Sequence, residues 1–261
     1  MLIVGERINS SRPKIAQALA GRDAPFIQDE ARRQVAAGAQ MLDVNAGASL
    51  TTEPEDLVWL VETVQGAVDV PLCLDSPRPE ALRKAVAVHR GVPLVNSITG
   101  ERARQDAVLP VVAESGAWVV ALTMGEAGMP RTAEDRVSVA REIVRAAEKA
   151  GVPLERIYFD PVISALATDH TQGREVLEAV SRLRREFPSA HVIAGLSNIG
   201  FGLPSRRLLN HTFLVMLMAA GLDAVIADPT TEGFPETVAA AQVLLGRDEF
   251  CMAYISRCRP R

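Results

Sequence analysis

Eight short hydrophobic runs recur along the chain, each followed by a turn and then by a longer amphipathic stretch. They are LIVG (2–5), MLDVN (41–45), PLCLD (71–75), PLVNS (93–97), WVVALT (118–123), RIYFD (156–160), HVIAGL (191–196) and AVIAD (224–228). A run that is apolar at successive residues buries both faces of its strand, the condition of a parallel sheet covered on both sides. Helical spacing fills the gaps. In EDLVWLVETVQGAV, Leu57, Leu60, Val61 and Val64 recur at helical intervals, and in RVSVAREIVRAAEKAG so do Val137, Val139, Ile143 and Val144, with Gly151 as a stop. Further helices are predicted over about 26–38, 78–89, 102–115, 172–186, 206–220 and 235–246. Eight strand–helix units predict an α/β fold, a single (β/α)8 TIM barrel spanning 1–261, with about 247–261 as a C-terminal tail. An open doubly wound sheet is the alternative, but no G-x-G-x-x-G turn follows the first run.

The composition, 48% hydrophobic and 23% charged, supplies a core of the size a barrel needs. A formal charge of -4 argues against nucleic acid as a partner. The opening MLIVGERINSSR reaches Glu6 and Arg7 too soon for a signal peptide or a spanning helix, so no membrane partner is expected. Three cysteines, Cys73, Cys251 and Cys258, lack the close pairing of a zinc site; no metal is expected, and a reducing cytoplasm is.

In a TIM barrel the active site lies at the C-terminal ends of the strands. There this sequence delivers Glu6, Arg7 and Asn9, then Asp43 and Asn45, then Asp75 and Ser76, then Asn96, Ser97 and Thr99. Thr123 and Met124, Asp160, Ser197 and Asn198, and finally Asp228 complete the ring. One or two of the acids are expected to cap helices, Asp228 first among them. Lys14, Lys84 and Lys149 map away from strand ends, which disfavours a Schiff base. His89 and His191 lie at the wrong end, while His170 and His211 lie beyond their strands. The mouth therefore offers carboxylates and amides without a nucleophile. Such groups suit a flat heterocycle with several N–H and C=O edges, and a pterin has them.

The motifs GERIN (5–9), LDVNAG (42–47), LCLDS (72–76), NS (96–97), LTM (122–124), DP (160–161), GLSN (195–198), NHTFL (210–214) and GLDAVIAD (221–228) carry a resemblance. In this order, over nearly the whole chain, they resemble the methyltetrahydrofolate:corrinoid protein methyltransferases, pterin-binding barrels that pass a methyl group to cobalt. The resemblance implies catalytic roles for Asn198 and Asp160. It also implies a substrate-binding set of Asp75, Asn96, Asp160, Gly195, Ser197, Asn198 and Arg206, with Asn198 beside N5. Methyltetrahydrofolate would be the methyl donor. The cobalamin would arrive on a partner, since the chain has no D-x-H-x-x-G module. That partner would be the iron–sulfur corrinoid protein of acetyl-CoA synthesis or the corrinoid protein of a demethylase, and the reaction can run in either direction. A homodimer is also implied. Where the family tends to carry a polar residue, this chain has Phe201. The alternatives are dihydropteroate synthase, whose seventh strand presents a cation that GLSN lacks, and a folate-binding accessory protein without turnover.

Overall fold

The computed structural model describes residues 1–48 and 51–259. Its eight parallel strands close into a barrel in chain order. They are β1 (Leu2–Asn9), β2 (Met41–Asn45), β3 (Leu72–Asp75), β4 (Leu94–Ile98), β5 (Trp118–Leu122), β6 (Ile157–Asp160), β7 (His191–Gly195) and β8 (Ala224–Ala227). Around them run α1 (Pro13–Ala20), α2 (Ala24–Ala36), α3 (Glu53–Gln65), α4 (Pro79–Val88), α5 (Arg102–Ser115) and α6 (Ala133–Lys149). The ring continues with α7 (Gln172–Glu186), α8 (Arg206–Ala220), α9 (Phe234–Leu244) and α10 (Met252–Cys258). Each run predicted as a strand forms one. Helix α1 was not anticipated: its eight residues follow directly on the polar stretch after β1, and they start on Pro13 and stop at Gly21. Helix α10, in the tail, packs on α9.

Two apolar layers follow from the period of two along each strand. One set of side chains faces the helices, among them Leu42, Val44, Leu72, Leu74 and Phe159. The alternate set fills the barrel: Val4, Cys73, Val120 and Ile193 from the odd strands, with Leu94 and Ala224. This is a packed plug, not a channel. Two residues further along the same strands the inward positions become Glu6, Asp75, Leu122 and Gly195, with Asn96 above Leu94. On β1, β3 and β4 polar groups thus replace the plug further along the strand, while on β2 Asp43, paired with Cys73, is already polar at the level of the plug.

Gly5 marks a close approach in β1. A Cβ there would collide with Oε1 of the buried Gln34 and lie 3.0 Å from Leu42 Cδ2. That Gln34 oxygen accepts from Arg7 N at 3.1 Å, so it is not free to swing away. Gly5→Ala should cost about 1–3 kcal/mol by overpacking, read as a lowered urea midpoint. An unchanged midpoint would mean that Gln34 relocates freely.

Candidate active site

Strand register sets the first half of the site. Asn45 pairs with Asp75, and Asp75 with Asn96, so three polar residues stand side by side on β2, β3 and β4. Asn45 Nδ2 donates to Asp75 Oδ2 at 2.9 Å, and Ser10 Oγ donates to Asn45 Oδ1 at 3.0 Å. Asn96 Nδ2 reaches Asp43 Oδ1 at 3.4 Å. Beneath them Asp43 is only 3% exposed. Burial first, and then the neighbouring Asp75 charge, pushes its carboxyl well above the ordinary range. Burial also raises Asp75, against the hydrogen bond from Asn45. Two carboxyls this close retain a proton more readily than either alone, and a proton held by Asp43 leaves Asp75 the better acceptor.

The second half is built on β6 and β7. Asp160 ends β6, and its carbonyl accepts from both Thr123 N and Thr123 Oγ1 at 2.9 Å. Burial lifts its carboxyl from 3.8 to about 6; backbone groups of Val162 and Gly195, and then Arg136, hold it down. The Val162 amide donates to Asp160 Oδ1 at 2.7 Å. β7 ends at Gly195 and turns through a 3-10 turn, Leu196–Asn198. There Ser197 Oγ donates to Glu6 Oε1 at 2.7 Å, and Arg206 Nη2 donates to Ser197 O at 2.9 Å. Burial raises the Glu6 carboxyl too.

Asn198, exposed at the tip of this turn, folds back over Gly195: its Nδ2 lies 3.5 Å from where a Cβ on Gly195 would sit. Among the described residues its side-chain amide has no hydrogen-bond partner. Both its donor and its acceptor are therefore open to a ligand. Phe201, three residues on, is 65% exposed, and the Arg206 guanidinium lies 5.5 Å from its ring centre.

Asp75 and Asn96 are thus neighbours, Gly195 meets Asp160 through its backbone and Asn198 through that side chain, and Ser197 ties this turn to Glu6. One expectation needs correction. Asp228 does not cap a helix: it pairs with Arg7 Nη1 at 2.7 Å and accepts from Thr230 N and Oγ1. β8 closes the barrel against β1, which brings residues 221 positions apart into contact. The Glu6–Ser197 bond, across a similar gap in sequence, was equally invisible to local pattern.

Three of the four histidines are engaged away from the strand ends, and His170 is exposed in the loop between β6 and α7. His191 stacks on Tyr158 at the starts of the strands, with centroids 4.7 Å apart. His89 accepts from Leu72 N, and His211 faces Thr237. Lys84 pairs with Glu55 on the outside. Among the described residues no group of three or more His, Cys, Asp or Glu side chains is arranged to hold a metal ion. A cavity of about 720 Å³ lies between α2, α9 and α10, lined in part by Gly38, Gln242 and Arg257. It touches none of the mouth residues.

Comparison with known proteins bears on this arrangement. The model of the family described as pterin binding enzyme matches residues 5–228. The chain is 37% identical over 256 residues to the methylcorrinoid:tetrahydrofolate methyltransferase of Eubacterium limosum, covering 97% of this chain and 94% of that one. It is 31% identical to the methionine synthase of Mycobacterium tuberculosis over 87% of this chain, but over only 20% of that larger protein. In fold it resembles the 7,8-dihydropteroate synthase of Vibrio fischeri, with TM-score 0.74 at 20% identity, covering 94% of this chain and 93% of that one. Yersinia pestis DHPS, with a pterine-sulfa conjugate, has a TM-score of 0.71 at 20% identity, with 94% of each chain covered. The last two likenesses establish the barrel alone. The family match over most of the length, joined to the E. limosum relative, places this chain among the pterin-binding enzymes, as a methyltransferase.

Proposed function

We propose that the chain moves a methyl group between N5 of tetrahydrofolate and the cobalt of a corrinoid held on a separate protein. The observation that carries this reading is Asn198: an amide with no protein partner among the described residues, folded over Gly195, on a barrel none of whose strands ends in a lysine or a histidine. In the direction away from folate, the incoming cobalt nucleophile takes the methyl carbon, the C–N bond breaks, and its electron pair stays on N5. That nitrogen leaves poorly unless it receives a proton or hydrogen bond. In the opposite direction N5 supplies the electron pair and must then lose a proton. An amide both donates and accepts, so one Asn198 serves both directions. Asp75, Asn96 and Asp160 hold the pterin ring, with Gly195, Ser197 and Arg206 lining it. The name of the E. limosum relative favours transfer from the methylcorrinoid to tetrahydrofolate.

The barrel and its tail act as one domain in the reducing cytoplasm, a setting that suits three free cysteines. Among the described residues no helix is long and apolar enough to cross a membrane. The chain is proposed to work as a homodimer. Light scattering at micromolar concentration should give twice the chain mass, and a monomer would remove that part of the proposal.

Two assays on one preparation test the central reading. Methyl transfer between methylcobalamin and tetrahydrofolate should accelerate on adding the protein. A pterin pyrophosphate with p-aminobenzoate should release no pyrophosphate. The reverse pair of results would revive dihydropteroate synthase.

A further inference from the structure

Two arginines near the mouth, Arg104 and Arg136, make contacts that ion pairing does not explain. Arg104, near the start of α5, donates from Nε to Ser97 O and from Nη2 to Ser76 O, each at 2.8 Å, and from Nη1 to Pro77 O. Arg136 is completely buried in α6. It donates from Nη2 to Val162 O at 3.1 Å and Gln172 Oε1 at 2.8 Å, from Nη1 to Thr132 O at 3.1 Å, and from Nε to Pro161 O. The gathered strand-end carbonyls belong to the residues just after Asp75, Asn96 and Asp160. Among the described residues neither arginine has a carboxylate oxygen within 4.0 Å. Arg7, by contrast, pairs with Glu30 and Asp228.

We propose that Arg104 and Arg136 are positioning residues for the pterin: each grips the main chain just past a ligand-facing carboxylate and stands near it as a cation that occupies none of its oxygens. The proposal rests on the functional reading above. A guanidinium presents five donors in a rigid plane and no acceptor, so one side chain can lock several carbonyls at once. At Val162 the need for a lock is visible. This β-branched residue sits at φ 54°, a left-handed backbone that such residues rarely adopt. Arg136 holds its carbonyl and Asp160 holds its amide.

Charge supports the same assignment. Asp75 faces Asp43 from β2 and Glu53 from α3, both of which disfavour its ionisation, while the Asn45 hydrogen bond and Arg104 favour it. Arg136 is the charged group that favours ionised Asp160, alongside the backbone of Val162 and Gly195. A direct salt bridge would give the same sign but would use the oxygens that the pterin N–H groups need.

Arg104 is the residue to test, because it is only half-buried. Methyltetrahydrofolate affinity would be measured by calorimetry across pH for the wild type, Arg104→Met and Arg104→Lys, with thermal melts alongside. Arg104→Met should weaken binding about tenfold at pH 7 and move the acid limb of binding to higher pH, as Asp75 becomes harder to ionise. Arg104→Lys keeps the charge but cannot span three carbonyls. It should restore the acid limb while leaving affinity weakened, and it carries the test alone if the Met variant does not fold. Affinity and acid limb within twofold of wild type in a folded variant would reduce Arg104 to a structural strut. Failure of the wild type itself to bind would remove the functional reading, and this proposal with it.

Discussion

Asn198→Ala should slow methyl transfer by roughly 10²–10³, about 2.7–4 kcal/mol, while changing folate affinity far less. The asymmetry follows from where the amide stands. Asn198 has no partner among the described residues, so truncation orphans nothing and leaves the turn held by Ser197, Glu6 and Arg206. In the proposed role what disappears is a hydrogen bond strongest when charge develops on N5. Asn198→Asp separates this from a turn role. An ionised carboxylate keeps the turn preference but cannot donate, so it should be slow at neutral pH and recover as acid protonates it. Single-turnover kinetics with free cob(I)alamin, with binding measured in parallel, reads both. If Asn198→Ala transfers within about threefold of wild type, a loss under 1 kcal/mol, the amide is scaffolding.

Asp160→Asn should move stability and binding in opposite directions. The Asp160 carboxyl is lifted by burial from 3.8 to about 6. The fold therefore binds this proton more tightly than the unfolded chain does. The resulting stabilisation is present below about pH 4 and is lost as pH rises through 6, at most about 3 kcal/mol. An amide has no charge to desolvate. Asp160→Asn should thus match wild type near pH 4 and be the more stable protein at pH 7. Its oxygen can still accept from Val162 N, but in the proposed site its NH₂ then faces the donors of the pterin edge. Methyltetrahydrofolate binding should weaken by roughly 1.5–3 kcal/mol. Denaturation at two pH values and calorimetry at one suffice. Unchanged affinity would take Asp160 out of the substrate site.

What was legible in the sequence follows from local periodicity. Runs such as HVIAGL cannot be buried on both faces except as inner strands, and helical spacing between them leaves few topologies. The same period of two forecasts the mouth: inward positions that are Cys73 and Leu94 in the plug become Asp75 and Asn96 at the strand ends. Illegible were the contacts made only by closure of the barrel. Glu6 meets Ser197, and Arg7 meets Asp228, across gaps that no window spans. Nor does a sequence reveal that Arg136 is wholly buried and bound to main-chain oxygens, since arginine on a helix ordinarily reads as a solvated surface residue.

In the proposed reaction the barrel contributes position and one amide to a methyl transfer whose nucleophile comes from outside. Stopped-flow mixing of the protein and methyltetrahydrofolate with cob(I)alamin, followed by cobalamin absorbance, tests it directly. Single-turnover formation of methylcobalamin should saturate with folate and depend on Asn198. Saturable folate binding with no acceleration of transfer, to free cobalamin or to any corrinoid protein supplied, would contradict it and leave a binding protein in an enzyme's fold.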